Sequence, residues 1–359
     1  MIESIKLKNF KCFRDMNLSM AEMTILAGAN AAGKSSVIQA LQLFFATIRE
    51  KDSFVDVADA LHMEIGSPHL LISQNPIELP DADFLIGITC NGEQTDIRYK
   101  INKLTPLRLS FQKPNRKLGE QLFYLNAERR WPRISYPAKV DENIMSDGSN
   151  AAYLIDRGDM QGHKVSKSLL LDGAASKFSV HVEEWMNVIL EDVTLSVNVD
   201  LNKATTDIRY SNALVDHDVL PTMTGFGISY ILAIVTAGLW CSSLKNAVLI
   251  IENPEAHLHP RAQSQMGKFL YLVSASGVQV IVETHSEHII DGARIQAALM
   301  KQTECLSINF LSEQERKIVI EAIKVKKNGE LEKWPEGFFD QKTQDLRELF
   351  ELRRKSAGK

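Results

Sequence analysis

The chain of 359 residues is 45% hydrophobic and 24% charged, a balance that excludes disordered, collagen-like and coiled-coil proteins. Its formal net charge of −4 gives no overall basic field, so contact with nucleic acid or a membrane would require a local patch. At roughly 150 residues per domain, the length predicts one large domain or one domain with a big insertion.

The four cysteines are scattered along the chain, at Cys12, Cys90, Cys241 and Cys305. Because they form no CxxC pair, the sequence predicts neither a zinc ribbon nor a disulfide framework. This usage is typical of a reducing cytoplasm. The first residues contain no apolar run of signal-peptide length, and we expect a cytoplasmic location.

The opening elements are predicted as strand, glycine turn and helix. Ile5 and Leu7 alternate with lysines, which is typical of a strand, and residues 23–28 form a short apolar run that ends in glycine. From residue 34 to about residue 49, apolar residues recur at helical spacing. Two hairpins follow in the middle of the chain, at 83–101 around Asn91-Gly92 and at 195–210, with a helix over 177–190 between them.

The last third alternates between helices and apolar strands. Residues 226–244 carry no charge, but glycine, serine and threonine interrupt the run, so we predict a buried helix and no membrane span. Continuous apolar runs at 247–251 and 278–284 predict strands of a parallel sheet covered on both faces, with a helix over 263–272. The tail predicts antiparallel strands at 306–311 and 317–325 and a helix over 342–354.

A complete GxxxxGK[ST] motif spans residues 28–35, and it follows a strand and opens a helix. Its glycines let the backbone point N–H groups at phosphate oxygens, next to the positive end of a helix. Lys34 can reach the β- and γ-phosphates of a nucleotide, and the Ser35 hydroxyl can ligate Mg²⁺. The predicted nucleotide-binding residues of this loop are Asn30, Ala31, Ala32, Gly33, Lys34, Ser35 and Ser36.

Two acids follow the strand at 247–251. Glu252 ends the apolar run directly and is predicted to hold Mg²⁺ through water, so the metal candidates are Ser35 and Glu252. Glu255 lies three residues later and can orient and deprotonate an attacking water. The catalytic candidates are therefore Glu255 and Lys34, together with a histidine on the next strand.

That histidine is His285, at the end of the strand over 278–284, where a γ-phosphate sensor would lie. A second interpretation is open for this region. His257 and His259 form an HxH pair and, with His288 and nearby glutamates, could assemble the zinc site of a hydrolase.

Taken together, these motifs resemble those of the ABC-superclass ATPases of the SMC/RecF/OLD type. GANAAGKS resembles their Walker A loop, IIENPEAHLHP their Walker B strand, catalytic glutamate and D-loop, and VETHSEH their switch-histidine segment. The segment that opens with Gly225 is similar to the degenerate signature of OLD-like bacterial ATPases. By this resemblance Gly225, Gly227 and Ser229 would grip, in trans, the γ-phosphate of ATP bound to another protomer.

The resemblance implies an α/β fold. We expect a P-loop NTPase core of ABC type with a mixed, mainly parallel sheet, an inserted α+β lobe and a short C-terminal α+β appendage. The expected division is a split core over 1–50 and 215–295, a lobe over 51–214 and an appendage over 296–359. Residues 124–132 and 333–339 are similar to segments of stand-alone OLD-like ATPases of phage-defence systems, which lack the Toprim nuclease, and the chain has no coiled-coil arms or zinc hook.

The resemblance also implies a function. We expect a Mg²⁺-dependent ATPase that forms a homodimer or higher oligomer around ATP and controls a separate effector, a nuclease or toxin, or a nucleic-acid transaction, in anti-phage defence or DNA maintenance. No membrane partner is expected. The alternative is an ATP-gated scaffold or sensor with negligible turnover that holds and releases an effector.

Two basic segments are candidates for contact with DNA. Residues 103–117 include Lys103, Lys117 and three further basic residues with no acid among them. Arg129, Arg130 and Arg133 flank Trp131, and an aromatic residue among basic ones could stack on a base while the charges follow the phosphates. A solvated basic face is the alternative interpretation of both segments.

Overall fold

The computed structural model describes residues 1–101, 108–114, 118–130, 132–138, 143–171, 177–212, 215–335, 337–338 and 341–357. The strands in these residues are β1 (Ile2–Phe10), β2 (Phe13–Ser19), β3 (Met23–Gly28), β4 (Phe54–Asp56), β5 (Phe84–Cys90), β6 (Glu93–Ile101), β7 (Arg108–Phe111), β8 (Gln121–Leu125), β9 (Tyr136–Pro137), β10 (Thr194–Asp200), β11 (Thr205–Asn212), β12 (Val215–Val219), β13 (Ala247–Glu252), β14 (Gln279–Thr284), β15 (Leu306–Gln314) and β16 (Lys317–Ile323). The α-helices are α1 (Lys34–Arg49), α2 (Val57–Leu61), α3 (Ala151–Gln161), α4 (Phe178–Leu190), α5 (Phe226–Cys241), α6 (Pro260–Ala275), α7 (Glu287–Leu299) and α8 (Gln341–Ala357).

A central six-stranded sheet has the order β16-β15-β3-β14-β13-β8. The five strands from β15 to β8 run parallel, and β16 pairs antiparallel with β15. The continuous apolar strands of the sequence are therefore parallel, as predicted, and the sheet is mixed and mainly parallel. Because parallel strands end at the same edge, the carboxyl ends of β3, β14, β13 and β8 meet there.

Both faces of the central sheet are covered. Leu26, Ile250 and Ile281 point toward α1 and a second, antiparallel sheet of order β2-β1-β5-β6-β7-β4. The alternate residues, among them Ile25 and Ile251, point to the other face, where α3 to α7 and the small sheet of β9 to β12 contribute to a second core. The period-two alternation of strand side chains builds both cores from the same strands.

Most predicted elements are confirmed at or near the expected residues. Both hairpins form, β5–β6 around Asn91-Gly92 and β10–β11 around residues 201–204. The uncharged run becomes the buried helix α5, in which every residue from Tyr230 to Cys241 is buried. Among the described residues, no helix is long and apolar enough to cross a membrane.

The boundaries expected between core, lobe and appendage do not follow the sheets. β8 comes from the expected lobe, yet it pairs with β13 along the edge of the central sheet. β15 comes from the expected appendage, and it pairs with β3 over the whole length of that strand. Sequence periodicity identifies a strand but carries no information about its neighbours, which explains the difference.

Candidate functional site

The GxxxxGK[ST] loop connects β3 to α1 and depends on two glycines. Gly28 has a φ of 142°, and a Cβ there would collide with the backbone carbonyl of Leu311 on β15. Gly33 has a φ of 91°, and a Cβ would lie 2.8 Å from both Cys12 Sγ and the Phe13 ring. Both positions need a residue without a side chain, because the loop is packed between β15 and the β1–β2 turn.

Lys34 begins α1 and is folded back onto its own loop. Its side chain is 3% exposed, and Nζ donates to the carbonyl oxygens of Gly28 at 3.0 Å and Ala29 at 2.8 Å. Burial lowers the pKa of Lys34, while the charges of Glu283 and Glu255 oppose that shift. These two carbonyl oxygens hold the Lys34 ammonium group against the loop, and the oxygens of a bound phosphate could take their place.

Glu283 is the residue that the sequence interpretation missed. It lies on β14, and its carboxylate accepts the Ser35 hydroxyl at 3.1 Å to each oxygen and lies 3.9 Å from Lys34 Nζ. Burial, and next the charge of Glu252, raise the pKa of Glu283 to about 7. An acid within the otherwise apolar run of β14 was the signal that could have identified it.

Glu252 stands beside Glu283, since the two residues are register partners on β13 and β14. The Tyr124 hydroxyl, on β8, donates to Glu252 Oε1 at 3.1 Å. Burial raises the pKa of Glu252, and hydrogen bonds from Tyr124 and the Ala127 amide, with the charge of Arg129, oppose the shift. The Glu252 carboxylate, predicted to bind metal, is therefore hydrogen-bonded to Tyr124 of β8, whereas the Glu283 carboxylate is hydrogen-bonded to Ser35 of the phosphate loop.

Glu255 follows β13 and is fixed at both carboxylate oxygens. Oε2 accepts the Thr284 hydroxyl at 2.7 Å, and Oε1 accepts the backbone amide of His285 at 2.6 Å. His285 is exposed as a residue, yet partial desolvation of its ring and next the charge of Lys34 lower its pKa, while the charge of Glu255 opposes the shift. The structure brings Lys34, Ser35, Glu252, Glu255 and His285 to one edge of the sheet, as the sequence predicted.

The zinc interpretation gains no support from the side chains. Among the described residues, no group of three or more histidine, cysteine, aspartate or glutamate side chains could hold a metal ion. His257 instead stacks against Phe226, with ring centroids 5.4 Å apart, and meets the Tyr230 ring edge-on at 4.9 Å.

The start of α5 packs against the loop that follows Glu255. A Cβ on Gly227 would lie 2.8 Å from the His257 carbonyl oxygen, so the glycine permits this contact. Gly225 and Phe226 are exposed, whereas the Ser229 hydroxyl is buried beside the Tyr210 side chain. The hydroxyl predicted to act in trans points inward in the single chain, and its role stays a prediction.

Arg129 was predicted to contact DNA, and the structure shows that this part of the prediction is wrong. Its side chain is 1% exposed, and its guanidinium donates to the carbonyl oxygens of Asn126 at 3.0 Å, Glu252 at 2.8 Å and Asn253 at 2.6 Å. Burial lowers its pKa to about 10. Arg129 joins the carboxyl ends of β8 and β13, so it is not available to a phosphate backbone.

The other basic candidates are partly described. Arg130 lies 3.5 Å from Asp147, and Arg133 is exposed. In the stretch 103–117, Arg108 and Lys113 are exposed. Lys103, Arg116, Lys117 and Trp131 lie outside the described residues, as do Glu336 and Phe339 of the C-terminal segment.

Comparison with known proteins agrees with these features. The family described as "AAA ATPase domain" matches residues 1–153 and 161–290, and the family described as "Protein of unknown function (DUF3696)" matches residues 303–349. The OLD nuclease of Thermus scotoductus is 22% identical in an alignment of 339 positions that covers 83% of this chain and 61% of that protein. The DNA replication and repair protein RecF of Rickettsia typhi is 22% identical over 217 residues, 60% of this chain and 56% of that protein. The chain thus spans somewhat more than half the length of these relatives.

Solved structures of Smc heads share the fold. An Smc head bound to the C-winged helix domain of ScpA has a TM-score of 0.56 at 14% identity, covering 91% of this chain and 98% of that chain. An Smc head with an extended coiled coil, bound to the C-terminal domain of ScpA derived from Pyrococcus furiosus, has a TM-score of 0.55 at 14% identity, covering 98% and 99%. The α/β fold is therefore that of an ABC-type P-loop NTPase core. Since the first family covers most of the chain, this protein belongs to the AAA ATPase domain family.

Proposed function

We propose that this protein binds ATP with Mg²⁺ at the carboxyl edge of the central sheet and hydrolyses it. The observation that carries the proposal is the Glu255 carboxylate, fixed by Thr284 and the His285 amide beside a phosphate loop with its lysine and serine. A general base acts from a defined position, and two hydrogen bonds hold the Glu255 carboxylate in place. The family membership supports the same conclusion.

The oxygen ligands of the site fit Mg²⁺, which prefers carboxylate and hydroxyl oxygens and keeps several waters. Ser35 and Glu252 were predicted as its ligands, and Glu283 joins them because it already accepts the Ser35 hydroxyl. When bound, the ion would neutralise charge on the phosphates. Ser35 then releases Glu283, and Lys34 exchanges two carbonyl oxygens for phosphate oxygens.

The proposal includes a second protomer. Gly225 and Phe226 are exposed at the start of α5, directly against the loop that carries His257. In a dimer that encloses ATP, Gly225, Gly227 and Ser229 of one protomer would meet the γ-phosphate held by Lys34 of the other. Ser229 would have to turn its hydroxyl outward, because that hydroxyl is buried in the single chain.

For the biological role, we propose control of a separate effector or of a nucleic-acid transaction. The names of the two relatives, a nuclease and a DNA repair protein, support a DNA-related role, and Arg133, Arg108 and Lys113 remain exposed candidates for contact. A nuclease or toxin partner, anti-phage defence and a cytoplasmic location are parts of this proposal that rest on the sequence resemblance.

One observation favours the alternative, an ATP-gated scaffold with negligible turnover. Lys34 and Ser35 are both engaged by groups of the same chain, and Ser229 is turned inward. A site closed in this way would hydrolyse ATP slowly until a partner or DNA opened it.

Steady-state hydrolysis, with and without double-stranded DNA, separates the two functions. We expect Glu255→Gln to retain ATP binding and to lower kcat about 10²- to 10⁴-fold, since it removes the general base. Glu315→Gln, at an exposed acid in the turn between β15 and β16, is the matched control and should leave kcat unchanged. Unchanged turnover in Glu255→Gln would reject the assigned base, and turnover absent under all conditions would favour the scaffold.

A further inference from the structure

A cavity of about 490 Å³ lies outside the phosphate site, beside the β8 edge of the central sheet. Its described walls are the C-terminal half of α1, the β4–α2 corner, β8 and residues 143–146. This size is in the range of small-molecule sites, which are about 300–1,000 Å³. Phe45, Val55, Phe123 and Ile144 give it an apolar lining.

The side chain of Gln42, on α1, is the polar group of the cavity that has no partner. It is 3% exposed, and neither its Nε2 nor its Oε1 makes a hydrogen bond. A buried amide is normally paired, because an unpaired donor or acceptor bears the full cost of desolvation. Asn150, next to residues 143–146, shows the ordinary case, since its amide donates to the Asn143 carbonyl and accepts the Met145 amide. The Gln42 amide atoms are covered in the cavity wall, so the side chain would have to turn toward the cavity to offer its adjacent donor and acceptor to a ligand.

The charged side chains at the rim of the cavity disfavour an anionic ligand. Of the described lining residues, Glu50, Asp56 and Asp59 carry carboxylates and Arg49 carries the positive charge. Burial lowers the pKa of His62, which keeps that ring neutral at pH 7. An excess of carboxylates repels a phosphate, so the cavity suits an uncharged ligand.

The rim also offers a flat aromatic surface. The His62 and Tyr124 rings are nearly parallel, with an interplanar angle of 19° and centroids 6.2 Å apart. Tyr124 lines the cavity, and its hydroxyl donates to Glu252 in the phosphate site. The Tyr124 side chain therefore contacts both the cavity and the phosphate site.

We propose that this cavity binds an uncharged nucleobase or nucleoside, with the donor–acceptor edge of the base on the Gln42 amide and its ring against His62. Carboxamide side chains pair with bases through one donor and one acceptor in this way. The Tyr124–Glu252 hydrogen bond couples occupancy of the cavity to the nucleotide held at the phosphate loop. The coupling rests on the proposed ATPase function, whereas the binding does not.

The test titrates adenosine, guanosine, cytidine and uridine separately into the full chain by calorimetry, with the phosphate site saturated by Mg²⁺ and ATPγS. At least one nucleoside should bind, and its 5′-monophosphate should bind more weakly. Gln42→Leu should lower the affinity at least tenfold, without loss of thermal stability, because it removes an unpartnered buried amide. Thr236→Val is the matched control, since it removes an unpartnered buried hydroxyl on α5, away from the cavity.

The result that would overturn the proposal is no binding of any nucleoside at millimolar concentration, equal binding by Gln42→Leu, or tighter binding of the monophosphate. For the coupling, the bound nucleoside should shift ATPγS affinity in the unmodified chain, and Tyr124→Phe should abolish that shift while nucleosides still bind. An equal shift in Tyr124→Phe would overturn the coupling. Nucleoside binding in a chain without ATP hydrolysis would reject the proposed function alone, and the reverse would reject the cavity alone.

Discussion

The phosphate-loop edge of the central sheet and the start of α5 differ in how far the chain itself engages their side chains. At the edge, Lys34, Ser35 and Glu255 all make hydrogen bonds within the chain. At the start of α5, Gly225 and Phe226 are exposed, and Met223 nearby is 77% exposed. The polar groups of the first region are paired within one chain, whereas the second region has the exposed apolar surface that a second molecule could cover. The following substitutions test this difference.

The largest effect is expected at Lys34. Lys34→Met keeps a buried side chain of similar length but removes the charge, and charged hydrogen bonds to phosphate contribute about 1.5–3 kcal/mol each. ATP affinity, measured by calorimetry, should fall about 1,000-fold, roughly 4 kcal/mol. Lys8→Met, at a partly exposed lysine on β1, is the control. Wild-type affinity in Lys34→Met would show that the loop does not bind phosphate.

Arg129 comes next, because it belongs to the region whose polar groups are paired within one chain. Arg129→Met removes the guanidinium donor from three carbonyl oxygens, of which that of Asn253 keeps the Ala256 amide, and should lower the free energy of unfolding by about 3 kcal/mol, measured in urea. Arg133→Met, at an exposed arginine, should change it by less than about 0.5 kcal/mol. Equal effects in both variants would contradict the positioning role of Arg129.

The region at the start of α5 is tested at Met223. Met223→Asp places a charge beside the start of α5, so dimerisation in the presence of ATPγS and Mg²⁺ should weaken about tenfold, roughly 1.4 kcal/mol. Sedimentation velocity measures the dimer fraction. Met160→Asp, at a residue of α3 that is 76% exposed, provides the comparison and should leave dimerisation unchanged. If the two variants dimerise alike, the start of α5 is not the dimer surface.

The smallest effect concerns pH and Glu283. In the folded chain the pKa of Glu283 is about 7, above the ordinary value of 4.5, so folding favours the neutral carboxyl group. The stability that this group contributes is fully present below pH 4.5 and is lost as the pH rises through 7. Glu283→Gln stays neutral at all pH values. Thermal unfolding should find the variant and wild type alike at pH 5 and the variant more stable at pH 8. A constant difference over this range would show that Glu283 titrates normally.

The sequence predicts the phosphate loop well because the signal is local. An apolar strand, two glycines and an amphipathic helix follow one another within residues 23–49, and each leaves its pattern in consecutive residues. Glu255 and His285 could also be predicted, because each follows an apolar strand and the ends of parallel strands meet at one edge of the sheet.

Long-range contacts account for what could not be predicted. Glu283 meets Ser35 although the two lie 248 positions apart, so no spacing rule connects them. Arg129 appears in the sequence as one of three arginines around a tryptophan, and only its contact with carbonyl oxygens at the end of β13 shows that it is buried. Strand order is equally invisible, which is why β8 and β15 were expected outside the core.

The position of β15 has a mechanical consequence. This strand is hydrogen-bonded to β3 up to Gly28, and its Leu311 carbonyl is the wall that requires glycine at the first position of the phosphate loop. Any tension or displacement applied to the β15–β16 hairpin would therefore be transmitted along the full length of β3 to the phosphate loop. A molecule bound to the β15–β16 hairpin would therefore change the position of the phosphate loop without contacting the nucleotide.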